Sequence, residues 1–165
     1  MMAKILSRQQ LKPEIEKLKK QGKKIIATSG AFDILHAAHV RFLKKAKSLG
    51  DTLIILLNSD SSIQRYKGEN RPIIPEKERA ELLASLAAVD YVCIFDDDAP
   101  LQLLKEIKPD FFVKGGSFIP ERIAEEKKLL ESWGGQHKTF PLEEGLSTTK
   151  KIEEILKKHQ NETLR

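Results

Sequence analysis

The chain of 165 residues has the length of a single domain, and its one cysteine, Cys93, excludes an intrachain disulfide bond. The formal net charge of +5 attracts anions, but aromatic residues make up only 6% of the sequence, too few for the stacking surface that single-stranded nucleic acids require. We therefore expect small phosphorylated ligands and no nucleic acid. The start of the chain becomes charged too early for a signal peptide, and the longest apolar run, LIILL, is far shorter than a membrane span. We expect a cytoplasmic protein with no membrane partner.

Apolar runs typical of strands alternate with helical patterns along the chain. The predicted helices lie at 7–22, 38–50, 75–89, 99–110, 120–135 and 147–159. The five predicted strands lie at 23–30, 51–60, 90–98, 111–118 and 137–142, and the polar segment 59–74 is expected to be a loop. This order predicts an α/β fold with a doubly wound, parallel, five-stranded, Rossmann-like sheet and an N-terminal helix. It forms one domain over 1–165, with a core over about 24–157.

Polar and glycine residues follow four of the predicted strands. In open parallel sheets, ligands bind beyond the carboxyl ends of the strands, so these residues should converge on one edge. They are Ser29, Gly30, Phe32, Asp33, His36 and His39 after the first strand, Asn58, Ser59 and Asp60 after the second, Lys114, Gly115 and Gly116 after the fourth, and Gly145, Ser147, Thr148 and Thr149 after the fifth.

Two histidines, His36 and His39, lie three residues apart where a turn becomes a helix. On one helix face at an N-terminus, they and the unpaired N–H groups could hold phosphate oxygens. A pair of structural histidines is the simpler interpretation, but the preceding sequence GAFD favours the phosphate site. Zinc is a third interpretation, which would need a further strong ligand and a motif such as HExxH; the sequence offers neither.

Other segments carry weaker signals. The glycines of KGG (114–116) would allow backbone N–H groups to approach an anion, and the three hydroxyls at 147–149 suit phosphate binding at a helix start, although one of them could be an ordinary N-cap. Arg79 stands out because it lies inside a helix that has an apolar face. In FDDDAP, we expect Asp97 or Asp98 to cap the helix that follows. The absence of GxxxxGK[ST] and GxGxxG disfavours P-loop and dinucleotide-binding proteins.

The segment SGAFDILHAAH (29–39) resembles the signature of the HxGH nucleotidyltransferases, and GLSTTKK (145–151) resembles their second signature. Within this superfamily, the segments at 56–92, 109–118 and 144–152 are similar to those of the heptose 1-phosphate adenylyltransferases, which form ADP-heptose. The resemblance covers about 7–157. It implies transfer of AMP from ATP to a sugar 1-phosphate, with Mg²⁺ assisting and pyrophosphate released, in an enzyme that tends to form homodimers.

The resemblance also implies roles for individual residues. His36 and His39 would hold the triphosphate and stabilise the transition state, with charge neutralised by Arg79 and by Arg41 or Lys67. Asp60 would face the acceptor. The residues implied to contact the nucleotide or its phosphates are Thr28, Ser29, Gly30, Ala31, Phe32, Asp33, Ala38, Arg41, Asn58, Asp60, Lys114, Gly115, Gly116, Ser147, Thr148 and Thr149.

One position departs from the family signature, because Ala38 stands where the family has glycine. Its methyl group would border the nucleotide and could alter the choice of base. A cytidylyltransferase that uses CTP and glycerol 3-phosphate or another alcohol phosphate is an alternative, although Glu143 and Glu144 replace the Arg-Thr of those enzymes. A nucleotide-sensing protein that binds without turnover is a third hypothesis, motivated by Ala38 alone.

Overall fold

A computed structural model describes residues 3–115, 120–141 and 148–162. Its strands are β1 (Lys4–Ile5), β2 (Ile25–Gly30), β3 (Thr52–Asn58), β4 (Tyr91–Phe95), β5 (Phe111–Gly115) and β6 (Gln136–Phe140). Its helices are α1 (Arg8–Lys20), α2 (Ala37–Lys47), α3 (Asp60–Lys67), α4 (Glu76–Ala84), α5 (Leu101–Ile107), α6 (Pro120–Glu131) and α7 (Thr148–Glu162).

The strands form one parallel sheet in the order β1-β4-β3-β2-β5-β6. From β2 the chain builds outward through β3 to β4, and it then crosses back to place β5 on the other side of β2. The strand order therefore reverses between β2 and β5, which is where ligands bind in open α/β sheets.

The sheet has helices on both faces, as a doubly wound fold requires. On one face the core is formed by residues of α1, α5 and α6, including Leu11, Leu104 and Leu130. On the other face, residues of α2 and α4, including Leu43 and Leu83, pack against the sheet. All seven residues of β3 are buried, in agreement with its continuous apolar sequence.

The predicted α/β class, parallel sheet and N-terminal helix are confirmed, but two details of the prediction were wrong. The sheet has six strands, because Lys4–Ile5 pairs with the start of β4, and two residues are too few to show a strand pattern. The segment predicted as a polar loop contains α3, whose N-cap Ser59 accepts a hydrogen bond from the Ser62 N–H.

Cys93 lies in β4 and is fully buried. Burial raises the pKa of its thiol to about 11, so an inert core residue is the right description. In the part of the chain that the structure describes, none of the helices combines the length and apolar composition needed to cross a membrane.

Candidate active site

The site lies at the carboxyl edge of the sheet, where α2 begins. His36 is the N-cap of α2 and His39 lies in its first turn. The two imidazole rings stack with their centroids 3.9 Å apart and an interplanar angle of 26°. The structure therefore brings the two predicted histidines together on one side of the helix start.

Hydrogen-bond donors remain open at this helix start. The first helical bond runs from the Val40 N–H to the His36 carbonyl oxygen, and among the described residues no side-chain hydrogen bond caps α2. Residues 37–39 thus present backbone N–H groups at the positive end of the helix dipole. Such an end is an anion-binding site.

The imidazole of His39, in the first turn of α2, is uncharged at neutral pH. Burial, with smaller contributions from His36 and Lys67, lowers the pKa of His39 to about 4, so its imidazole is neutral at pH 7. Its Nδ1 is buried and has no hydrogen-bond partner among the described residues. A bound anion near the ring would favour the protonated form of His39.

Phe32 holds the loop between β2 and α2 in an uncommon conformation. Its φ is +45°, in the left-handed region that costs a non-glycine residue roughly 1–2 kcal/mol. Its buried ring contacts His39 edge-on, with centroids 5.3 Å apart, and it covers Gly30 so closely that a Cβ there would lie 3.1 Å from the ring. This packing fixes His39 with respect to the end of β2.

Arg79, on α4, is fully buried, and its guanidinium points into the protein. It donates to the carbonyl oxygens of Ala31 (2.6 Å), Asn58 (2.9 Å) and Ile74 (2.8 Å), and to the Asp60 carboxylate (2.7 Å). Arg79 therefore ties together the segments that follow β2 and β3 and the loop before α4. In this arrangement the guanidinium is hydrogen-bonded to protein acceptors. The family resemblance implies a direct contact between Arg79 and phosphate, but here Arg79 makes contacts within the protein instead.

Asp33 has a similar structural arrangement, although it was predicted to contact the nucleotide. Its carboxylate is 2% exposed, and it accepts hydrogen bonds from the N–H groups of Ile73 (2.8 Å) and Ile74 (2.9 Å) and from Arg71 Nε (2.7 Å). Asp33 thus anchors the loop before α4 to the loop before α2.

Lys114, near the end of β5, meets two other elements of the site. Its Nζ donates to Ser29 Oγ at 2.9 Å and lies 3.3 Å from Glu126 Oε1 on α6. Burial lowers the pKa of Lys114, while Glu126 opposes that effect. Glu126 also contacts His137 Nε2 through its other oxygen, at 3.1 Å.

Gly115 is required by packing. A Cβ at this position would lie 2.7 Å from the Phe42 ring of α2, too close for any side chain. The neighbouring Gly116 and Ser147 lie outside the described residues, so their predicted roles stay predictions. Thr148 and Thr149 are the first two residues of α7.

The remaining predicted residues surround this centre. Asn58 is buried and donates to Ser62 Oγ at 3.0 Å, while Arg41 is exposed on α2 and Ala38 is partly buried in its first turn. Thr28 is buried in β2. Lys67 ends α3, and partial burial lowers its pKa, as does the charge of Arg71.

The acidic run after β4 does not cap α5, contrary to the prediction. The N-cap of that helix is Pro100, with no side-chain cap. Asp96 instead accepts hydrogen bonds from the hydroxyls of Ser59 and Ser61, and Asp98 pairs with Arg65 Nε at 2.7 Å. The acids therefore hold both the start and the last turn of α3 against the segment that follows β4.

A cavity of about 140 Å³ opens beside the end of β2. Its polar and apolar walls come from β2, β3, α3, β4, β5, α6 and the segment between β4 and α5; the lining residues are Ser29, Gly30, Asn58, Tyr66, Phe95, Asp98, Ala99, Pro100, Lys114, Arg122 and Glu126. Sequence reasoning missed the aromatic wall and the two charged residues of α6, because nothing in their local sequence separates them from an ordinary helix surface.

The sequence is similar to that of a known protein family. A profile of the cytidylyltransferase-like family matches residues 27–154. The chain belongs to the cytidylyltransferase-like family. It is 46% identical over 158 residues to the bifunctional protein HldE of Syntrophotalea carbinolica, and 49% identical over 148 residues to that of Geobacter metallireducens. These matches cover 96% and 90% of this chain but 32% and 30% of the relatives, so the chain spans about a third of their length.

Two solved structures are similar to the structure of this chain. The lipopolysaccharide core biosynthesis protein of Thermoplasma volcanium is 30% identical, with a TM-score of 0.60 over 74% of this chain and 98% of that one. The pantoate-beta-alanine ligase of Francisella tularensis, 18% identical, matches with a TM-score of 0.61 over 86% of this chain and 67% of its own. The second likeness shows a shared Rossmann-like fold.

Proposed function

We propose that the protein is a nucleotidyltransferase that transfers AMP from ATP to a sugar 1-phosphate, heptose 1-phosphate, and releases pyrophosphate to give ADP-heptose. The observation that carries this proposal is the open start of α2, with its stacked histidines, at the point where the strand order reverses. The HldE relatives and the lipopolysaccharide core biosynthesis protein support the choice of acceptor.

The proposed reaction is a direct displacement at the α-phosphorus. An oxygen of the sugar 1-phosphate forms the new P–O bond as the bond to the pyrophosphate oxygen breaks, and pyrophosphate leaves with that electron pair. His36, His39 and the N–H groups of the first turn donate hydrogen bonds to phosphate oxygens as charge moves onto them. A bound triphosphate would raise the pKa of His39 above its value of about 4, because a nearby anion favours the imidazolium.

The cavity beside β2 suits the acceptor. Asn58 and Asp98 can hydrogen-bond to sugar hydroxyls, Tyr66 provides an apolar wall, and Lys114 and Arg122 supply positive charge for the 1-phosphate. We place the sugar in this cavity and the triphosphate at the start of α2.

The contacts of Arg79 change the role that the family resemblance implies for it. We propose that Arg79 is a positioning residue that fixes the Ala31 carbonyl and Asp60, and that Asp33 does the same for the loop before α4. Direct neutralisation of phosphate charge falls to Lys114, Lys67 and Arg41.

Several partners of the reaction are also proposals. Mg²⁺ commonly binds through substrate phosphates and few protein groups, so we propose that it enters with the triphosphate. Ser147, Thr148 and Thr149 at the start of α7 would contact the β- and γ-phosphates. We further propose a cytoplasmic homodimer.

Pyrophosphate release tests the function directly. With Mg²⁺ present, ATP, CTP and GTP are each combined with heptose 1-phosphate, glycerol 3-phosphate or no acceptor. We expect release with ATP and heptose 1-phosphate. Release with CTP and an alcohol phosphate would keep the fold and mechanism but overturn the substrates, and nucleotide binding without release in all nine mixtures would favour a sensing protein.

A further inference from the structure

A buried carboxylate lies behind the lysine of the candidate site, and no step of the proposed reaction uses it. Glu126 is 3% exposed on α6, and its two oxygens have different partners. Oε1 lies 3.3 Å from Lys114 Nζ, and Oε2 lies 3.1 Å from His137 Nε2. The carboxylate of Glu126 on α6 thus contacts one ionisable group on β5 and another on β6.

Core packing does not account for an acid at this position. Leu130, one turn further along α6, is fully buried on the same side of the helix and packs in the core. An apolar side chain at 126 would dock the helix without the desolvation that a buried charge incurs. The polar contacts of Glu126 are therefore those of its carboxylate, with Lys114 and His137.

We propose that Glu126 is a positioning residue that aims the Lys114 ammonium group at Ser29 and into the cavity where the acceptor phosphate binds. The inference rests on the proposed function. The lysine is held between Ser29 Oγ, at 2.9 Å, and the Glu126 carboxylate, which leaves it little freedom. Its side chain is 24% exposed, so the ammonium group still reaches the cavity.

The carboxylate also preserves the charge of the lysine. Burial lowers the pKa of Lys114 and the nearby Arg122 guanidinium lowers it further, while Glu126 raises it. The ionisable groups that face Lys114 among the described residues are Glu126 and Arg122 from α6, His137 behind the carboxylate on β6, and Asp98 and Tyr66, which line the same cavity.

His137 fixes the orientation of the carboxylate. Its side chain is 1% exposed and its ring contacts Phe112 edge-on, with centroids 5.8 Å apart. Nε2 faces a carboxylate oxygen, which accepts hydrogen bonds, while Nδ1 is buried without a partner in the described part of the chain, so the proton is assigned to Nε2. The Nε2–H donates to one oxygen of Glu126, so the other oxygen is turned toward Lys114.

Chemical labelling tests the pairing without any need for activity. Lysine reacts with acetic anhydride when unprotonated, so the pH of half-maximal labelling of Lys114, followed by mass spectrometry, reports its pKa. Glu126→Gln should lower that pH by about 1 unit, since an opposite charge at this distance shifts a pKa by about 1–3 units. Glu106→Gln, which removes the carboxylate partner of Arg8 elsewhere in the protein, should leave it unchanged. An unchanged labelling pH in Glu126→Gln would overturn the proposal.

The pH profile of pyrophosphate release distinguishes a positioning role of Glu126 from a purely structural role. Glu126→Gln should lose activity on the alkaline side at a lower pH than the wild type, and Glu126→Asp should recover part of the difference. Uniform loss with an unmoved alkaline limb would mean a structural role only. If Glu126→Gln fails to fold, both measurements are made on Glu126→Asp. The shift in the labelling pH and in the pH profile should then be smaller, because the shorter side chain holds its carboxylate further from Lys114. A wild type inactive with every substrate refutes the proposed function, while labelling still decides whether Glu126 pairs with Lys114.

Discussion

Replacing Arg79 by lysine should lower the stability of the folded protein, even when no nucleotide is bound. The guanidinium is fully buried and donates to the carbonyl oxygens of Ala31, Asn58 and Ile74 and to the Asp60 carboxylate. These acceptors lie around the planar guanidinium group, and the single side-chain nitrogen of lysine cannot reach all of them. At least one carbonyl and the carboxylate would then lose their donors.

The expected loss follows from these contacts. Breaking a buried, hydrogen-bonded charge pair typically costs about 3–5 kcal/mol, and each orphaned buried acceptor about 1–3 kcal/mol, in overlapping rather than additive contributions. We expect Arg79→Lys to lower the free energy of unfolding by about 3–5 kcal/mol. For a chain of this length, that corresponds to a fall in Tm of roughly 6–20 °C.

Urea and thermal unfolding without nucleotide measure this loss, with Arg41→Lys as the control. Arg41 is exposed on α2, so its replacement should change the unfolding free energy by about 0.5 kcal/mol or less. Wild-type stability of Arg79→Lys, combined with lost pyrophosphate release, would refute the structural role. It would return Arg79 to direct contact with phosphate.

Four further changes test other parts of the site. His39→Ala should lower kcat/KM by about 10²–10³ while circular dichroism shows an intact fold, because one aimed donor is lost. Because the folded state holds the pKa of His39 at about 4, below its ordinary 6.5, the wild type should lose stability as pH falls from 6.5 toward 4; Tm measurements on His39→Gln should show less of this dependence. Ala38→Gly should lower the KM for ATP and destabilise α2 by up to about 1 kcal/mol in urea unfolding. Gly115→Ala should cost about 1–3 kcal/mol by overpacking, and a double-mutant cycle with Phe42→Leu should recover part of it.

The fold was largely predictable because its signals are local. β3 is a continuous apolar run, the helices carry apolar faces, and their alternation limits the sheet to parallel connections. The two errors also have local causes. β1 has two residues, and α3 is a short polar helix whose start is set by the Ser59 cap and by acids from the next strand end.

The candidate site was predictable in its position but not in its contacts. Strand ends in a parallel sheet converge, so residues such as His39 and Lys114 could be assigned to one edge from sequence. Arg79 was recognised as unusual, but its acceptors at Ala31 and Asn58 lie 48 and 21 residues away along the chain. Glu126 has no distinguishing local pattern, since a helix surface with many glutamates looks the same.

The charged groups of the site divide into those already bound by protein and those left for a ligand. Arg79 and Asp33 are engaged by protein groups, and they fix the loops before α2 and α4. Among the described residues no side chain caps the start of α2, and burial keeps His39 neutral at pH 7. A permanent cation at that position would bind triphosphate and pyrophosphate tightly and slow product release. In the proposed reaction, a histidine that gains charge only while phosphate is bound would give up its proton as pyrophosphate leaves, so the same group would serve both the transition state and product release.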